Sequence, residues 1–294
     1  MKKILITGAG SFVGTSIEHW LKKWPLKYQV DTVDTMNHEW MRASVSMYDV
    51  VFHVAGIAHV DPKPEMAPLY YKVNRDLTLE IARWAKAGGV RQFIYMSSKI
   101  VYHASKSLKG DVTYPDTEPN PNDFYGDSKL QAEKGLKELE CDTFKVAIIR
   151  PPMIYGPNSK GNFLRLGWLA TKTPVFPAWH NKRSMLYIDN LAEFVRQLID
   201  RELGGVFFPQ NRELADTVEI VRYFAHKYNK RIWISRIFNP LVWLGSFFLK
   251  PIPKMFSDSY YVPEMSRYGF DYQLVSFEDS LKGLEITEKN RKMK

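Results

Sequence analysis

Five short apolar runs separated by helical patterning constrain this chain more than any other feature. Residues 3–7 (KILIT), 29–34 (QVDTVD), 50–55 (VVFHVA), 92–97 (QFIYMS) and 144–150 (FKVAIIR) read as strands. Helical spacing fills residues 12–24, 70–87 and 125–139, with Pro25 closing the first and Gly88 and Gly89 the second. Parallel strands need crossovers of a dozen or more residues, usually helices. The alternation therefore predicts an α/β fold, a doubly wound parallel sheet with helices on both faces. The stretch between Asp34 and Asp49 is too short for a further strand–helix unit, which predicts a trimmed sheet edge. Past Pro151 the alternation gives way to prolines, tryptophans and short periodic pieces.

At 294 residues, 45% hydrophobic and 25% charged, the chain has the composition of an ordinary globular protein,. Collagen, a disordered tail and a disulfide scaffold are excluded. Cys141 is the one cysteine and has no metal-site companions, which suits a reducing cytoplasm,. The first apolar run stops at Gly8, too short for a secretory h-region. The most apolar stretch, residues 240–249 (PLVWLGSFFL), is too short to span a bilayer,. We read it as subdomain packing, with a cover over the substrate, a homodimer contact or a membrane contact as the other readings. The net charge of +9 admits nucleic acid, an anionic membrane or a polyanionic small substrate,. No motif supports nucleic acid. Part of the excess sits in a terminal tail with Lys289, Arg291, Lys292 and Lys294, read as solvated,.

Residues 7–14 (TGAGSFVG) join the first strand to the first helix. Glycines there let the backbone turn sharply and approach a pyrophosphate, which then sits on the helix N-terminus. Gly8, Gly10, Ser11, Phe12 and Val13 are the candidate contacts. Asp34 follows 20 residues after Gly14 at a strand end, where a carboxylate can hydrogen-bond the adenosine ribose and would repel a 2′-phosphate,. This favours NAD over NADP. Residues 1–155 accordingly read as an NAD(P)-binding Rossmann domain. Residues 156–294 read as a smaller mixed substrate domain, with residues 183–205 returning to the first.

Tyr125 and Lys129, in YGDSK, lie four residues apart at a helix start and share a face,. An ammonium there favours the phenolate, predicting a tyrosine pKa lowered toward the working range of acid–base chemistry. Ser98 directly follows the strand 92–97, where the carboxyl ends of parallel strands face the ligand crevice, so its hydroxyl can hold a reacting oxygen. His53 reads as packed or loop-bonded rather than catalytic, as does His59; Asp189 reads as ordering a helix start.

These residues resemble the extended short-chain dehydrogenase/reductases, the NAD-dependent epimerase/dehydratase family. The resemblance covers residues 2–285. TGAGSFVG is similar to the family's TGxxGxxG loop, VFHVAG to its HxAG strand end, FIYMSSKIVY to its serine strand and YGDSK to its YxxxK. RPPMIYGP at 150–157 and RSMLYIDNLAEFV at 183–195 are similar to its later segments. Ser11 stands where the family has its middle glycine, with Gly10 one residue early, which predicts an altered loop path. Met153 stands where many relatives carry asparagine near the sugar diphosphate.

The resemblance implies catalytic roles for Ser98, Tyr125 and Lys129. It implies cofactor contacts from Ala55, Gly56, Asn74 and Pro152, and from Tyr125 and Lys129. It implies substrate contacts from Ser98, Tyr125, Asn162, Phe176 and Arg183, with Arg183 on the diphosphate and Phe176 beside the base. The length, GNF at 161–163 and RSMLYI look most like a Gram-positive capsule-biosynthesis branch. The implied activity is an NAD(P)-dependent oxidoreduction at C4 of a UDP-sugar, first as a UDP-4-keto-(6-deoxy)-N-acetylhexosamine reductase in polysaccharide biosynthesis. A UDP-glucose or UDP-N-acetylglucosamine 4-epimerase is the alternative, and a non-enzymatic NAD(P)-binding regulator the distant one. Lys99 and Ile100 after Ser98 argue against a 4,6-dehydratase, which needs acidic residues there.

Overall fold

A computed structural model describes residues 1–36, 40–41, 44–57, 63–103, 107–159, 162–249 and 251–286. The expectations for His59, Gly161 and the basic residues 289–294 lie outside the described residues.

Six strands, all paired parallel, stand in the order Gly205–Phe207, Lys145–Ile149, Gln92–Met96, Val50–His53, Lys2–Thr7, Tyr28–Val33. Lys2–Thr7 therefore lies inside the sheet. The chain runs outward from it to Tyr28–Val33, then crosses back to Val50–His53 on its other side. Such a reversal opens a crevice at the carboxyl ends of the strands. Tyr28–Val33 is the edge, as the short 34–49 stretch required; Trp40 there is buried and packs edge-on to Trp84 at 5.0 Å.

Alternate strand residues feed different layers. Ile4, Ile6, Phe52, Ile94 and Ile149 meet the helices Phe12–Leu21 and Ile188–Arg201 on one face. Leu5, Val51, Phe93, Tyr95 and Ile148 meet Leu77–Ala87 and Phe124–Leu139 on the other, through Ile81, Ala85, Ala132 and Leu136. Side chains alternate along a strand and both faces are covered, so the strands read as continuous apolar runs. The helical region expected at 70–87 is Ala67–Tyr71, a π-helical turn Lys72–Asp76, and Leu77–Ala87.

Strands beyond residue 150 form three small parallel pairs, one of them with the earlier Asp111–Thr113. Met153–Tyr155 pairs with Met185–Tyr187, Val175–Pro177 with Trp233–Ser235, and Asp111–Thr113 with Ser259–Tyr261. Helix Ile188–Arg201 ends in the left-handed Glu202 (φ 50°), and Gly205–Phe207 then joins the large sheet. That strand has three residues, too few for a periodicity.

The reading of 240–249 as subdomain packing is corrected. Helix Asn239–Gly245 turns Val242 inward, and it is the one buried residue of 239–249; Leu241, Trp243, Leu244, Phe247, Phe248 and Leu249 are exposed. No helix among the described residues is long and apolar enough to cross a membrane.

Candidate active site

The glycine loop closes the first strand tightly. Gly8 has φ +94°, and a Cβ on it would come within 3.0 Å of the Ala55 backbone nitrogen. Gly10 has φ +73°. Ser11 is the N-cap, at φ −71°, and its Oγ accepts from Gly14 N at 3.0 Å. This explains the displaced glycine: the left-handed residue here is at position 10, and position 11 is better served by a capping hydroxyl. Phe12 and Val13 open the helix, where first-turn amides have no partner within the helix,. Asp34 is exposed just beyond strand Tyr28–Val33, and its Oδ1 accepts from Met36 N at 2.9 Å.

Helix Phe124–Leu139 is capped by Asp123, whose Oδ1 accepts from Gly126 N at 2.7 Å. The cap fixes where Tyr125 and Lys129 emerge. Tyr125 is half-buried and lies beside the Ser98 hydroxyl, whose Oγ accepts from Ile100 N at 3.3 Å. Its ring stands edge-on to Tyr70 at 5.9 Å. Lys129 is buried; its Nζ donates to Met96 O at 2.9 Å and lies 4.8 Å over the Tyr95 ring. A Cβ on Gly56 would lie 3.1 Å from that Nζ, so the absent side chain lets the lysine meet the 55–57 loop.

The expected depression of the Tyr125 pKa is corrected. Burial pushes the phenol up to about 12, and the Ser98 hydroxyl opposes this. Tyr70 and Asp123 also disfavour the phenolate. The Lys129 ammonium is aimed at a carbonyl, and burial brings its own pKa down to about 8. At Lys129 desolvation of the charged form outweighs the neighbouring charge of Glu133, and at Tyr125 it acts in the same direction as the nearby acidic groups,.

A buried scaffold holds these groups. His53 is fully buried; its Nδ1 meets Thr7 Oγ1 at 2.7 Å and its Nε2 meets Thr78 Oγ1 at 2.9 Å. It is packed and bonded, as read from the sequence, and its pKa falls to about 3 through burial and then through the Lys129 charge. Asn74, in the π-helical turn, accepts from Ile57 N at 2.8 Å and donates to Ile57 O and Ser128 Oγ, each at 3.2 Å. Its amide joins the 55–57 loop, where the resemblance implies a cofactor contact, to helix Phe124–Leu139. Sequence reasoning missed Glu133. It accepts two hydrogen bonds from Arg150 Nε and one at 2.6 Å from Nη2, and another from Ser97. Arg150 Nη1 donates to Tyr102 Oη at 2.7 Å. The available signal was Tyr125, Lys129 and Glu133 at four-residue steps along one helix face.

The substrate-side residues are placed less openly. Phe176 is 3% exposed and packs on Phe256 at 5.6 Å, so its ring belongs to the core rather than to an open base-binding face. Arg183 is half-buried, and its Nη1 donates to Lys254 O at 2.8 Å and Ser257 O at 3.3 Å. Asn162 opens helix Asn162–Lys172; its side chain lies outside the described residues. Pro152 is buried, between strand Lys145–Ile149 and Met153–Tyr155. Asp189 lies in the first turn of helix Ile188–Arg201, as expected. Lys99, next to Ser98, is a further group the sequence did not single out for the site. Its Nζ is buried without a hydrogen bond among the described residues, 5.3 Å over the Tyr261 ring. Burial, joined by the charge of Arg183, brings it to about 8 against the pull of Asp111.

The chain matches the family model described as NAD dependent epimerase/dehydratase family over residues 4–207. The protein belongs to the NAD-dependent epimerase/dehydratase family. It is similar to the UDP-glucose 4-epimerase of Vibrio cholerae, 33% identical over 255 residues, covering 79% of this chain and 77% of that protein. It is also similar to the N-acetyl-alpha-D-glucosaminyl-diphospho-ditrans,octacis-undecaprenol 4-epimerase of Escherichia coli O157:H7. That match is 27% identical over 278 residues, covering 88% and 82%. In fold it is similar to the UDP-glucuronic acid 4-epimerase of Bacillus cereus, solved in complex with NAD. The TM-score is 0.70 at 20% identity, covering 96% of each chain.

This member of the family is thus an NAD-dependent enzyme of nucleotide-sugar chemistry, as the sequence implied. The residues present fit the dinucleotide on structural grounds. The Gly8 cradle would be filled by a Cβ, the Phe12–Leu21 helix presents its N-terminus behind the loop, and Asp34 stands exposed at the next strand end. Oriented amides and a helix dipole favour the pyrophosphate there.

Proposed function

We propose that this enzyme epimerises carbon 4 of a UDP-linked hexose or N-acetylhexosamine in the cytoplasm. The observation that carries the reading is the convergence of Tyr125, the Ser98 hydroxyl and buried Lys129 beside Gly56. Two relatives whose names specify 4-epimerases, at 33% and 27% identity, support it.

In this reading Gly8, Gly10, Ser11, Phe12 and Val13 hold the pyrophosphate, Asp34 the adenosine ribose, and Lys129 the nicotinamide ribose; Ala55, Gly56 and Pro152 complete the wall. NAD held there would supply the reversible hydride acceptor for carbon 4. Tyr125, as the phenolate, takes the C4 hydroxyl proton and gives it back to the same oxygen. Ser98 donates to that oxygen, stabilising the charge that develops on it. Turning the 4-keto sugar between the two transfers inverts the carbon. Arg183 holds the diphosphate and Asn162 contacts the diphosphate or sugar, while Phe176 supports this wall from within the core.

One observation favours the reductive direction as a second reading. Tyr125, pushed up to about 12, rests protonated and is ready to deliver a proton to a 4-keto oxygen,. A UDP-4-keto-6-deoxy-N-acetylhexosamine of capsule assembly would then be the substrate. The test is the purified protein itself. Released NAD with a nicotinamide absorbance, and interconversion of UDP-N-acetylglucosamine and its C4 epimer without added cofactor, is the expected result. Stoichiometric NAD(P)H oxidation by a UDP-4-keto sugar, with no epimerisation, establishes the reductase instead. Failure of UDP to raise the melting temperature or inhibit turnover rejects both.

A further inference from the structure

Eight of the seventeen exposed large apolar residues among the described residues fall between positions 233 and 249. Trp233, Ile237, Leu241, Trp243, Phe247 and Phe248 are each more than half exposed, Phe248 at 77%. They are held in place: strand Trp233–Ser235 pairs with Val175–Pro177, Asn239 Nδ2 donates to Ala178 O at 3.1 Å, and Val242 anchors the helix from beneath. Trp243 stacks edge-on to Phe247 at 5.1 Å. An exposed cluster of this size on a folded domain marks a surface that another apolar phase covers.

The charge around it selects the phase. Residues 220–257 contain no aspartate or glutamate. Within them Lys230, Arg231, Arg236 and Lys254 are exposed, and none forms an ion pair among the described residues. Tryptophan and phenylalanine beside unpaired lysine and arginine suit a bilayer surface, where rings enter the headgroup boundary and cations meet anionic lipid. A second copy of the chain fits poorly, because a two-fold contact sets the same patch against itself and brings the unpaired Lys230, Arg231 and Arg236 toward their own copies,.

We propose that residues 233–249 dock this enzyme on an anionic bilayer surface, with the aromatic side chains in the headgroup–acyl boundary and the flanking cations on the lipid phosphates. Docking brings the diphosphate wall to the membrane, since the apolar strand pairs with the segment holding Phe176 and Arg183 donates to Lys254 O. The attachment is peripheral.

Vesicle flotation of the full-length protein tests this. The protein is expected to float with phosphatidylglycerol vesicles, to stay below with phosphatidylcholine vesicles, and to be released by salt. Replacing Trp243, Phe247 and Phe248 together by serine should cut the bound fraction roughly tenfold or more, as should Arg231→Gln with Arg236→Gln. Melting temperature and turnover of a soluble UDP-sugar should stay unchanged in both variants, so the outcome is independent of the substrate assignment. Wild-type protein that remains unbound on phosphatidylglycerol overturns the proposal. So does a dimer in light scattering that the triple serine variant converts to monomer, which would make the face a contact between copies.

Discussion

The cluster around Tyr125 and the face around Trp243 depart from an ordinary side-chain distribution in opposite senses. Around Tyr125 polar and charged groups are buried: His53, Asn74, Lys129, Glu133 and Arg150 are all 5% exposed or less. Around Trp243 large apolar groups face outward. Burying a polar group is costly unless it is hydrogen-bonded, and exposing an apolar one forfeits its burial. The first cost is offset within the chain, because each of those five groups has an internal partner. The second has no internal offset. A site that must keep its geometry is closed on itself, whereas a face that must meet something else is left open.

Breaking the closed cluster at its reactive end should give the largest effect. Tyr125→Phe is expected to lower kcat by about 10²–10⁴ while leaving the melting temperature near wild type. Near-wild-type turnover would remove Tyr125 from the proton path. Breaking the scaffold should act on stability instead. Arg150→Met leaves the Glu133 carboxylate buried without its guanidinium and should cost about 3–5 kcal/mol in urea unfolding. Adding Glu133→Gln should recover much of that loss, and no recovery would show that the pair is not the origin of the effect.

A smaller effect belongs to pH. His53 has a folded pKa of about 3, whereas an unfolded histidine titrates near 6.5, so between these values the unfolded chain takes up a proton that the folded chain refuses. Stability therefore falls as pH falls through about 6.5. The His53 contribution is about 2 kcal/mol at pH 5. His53→Gln should flatten that limb of the curve, and an equal slope in the variant would locate the acid sensitivity elsewhere. The smallest effect lies at the open edge of the cofactor site. Asp34→Ser should weaken NAD(H) by roughly two- to tenfold, the range for one lost hydrogen bond, and narrow its advantage over NADP(H). Unchanged dissociation constants for both would show that Asp34 spends its carboxylate on Met36.

Legibility differed between the two halves for a local reason. The strand Lys2–Thr7 and the glycine loop are written within residues 2–14, where spacing and turn chemistry act between neighbours. The YGDSK pair was likewise visible because four residues bring side chains onto one helix face. Gly205–Phe207 was not visible, because its strand character comes from pairing with Lys145–Ile149 and not from its own three residues. Phe176 and residues 240–249 were exchanged for the same reason: an apolar side chain looks alike in sequence whether a partner buries it or not. The structure put Phe176 under Phe256 and left Trp243 bare.

The sequence by itself determined the parallel sheet, the dinucleotide loop, and the identity and order of Ser98, Tyr125 and Lys129, because these depend on periodicity, backbone turns and helix spacing. Only the tertiary structure decided the protonation balance at Tyr125 and Lys129, the use of Asn74 and Glu133 as supports, and the outward turn of residues 233–249. Those depend on desolvation and on contacts between residues far apart in the chain, such as Asn74 with Ser128 and Tyr102 with Arg150, and a one-dimensional pattern carries neither,.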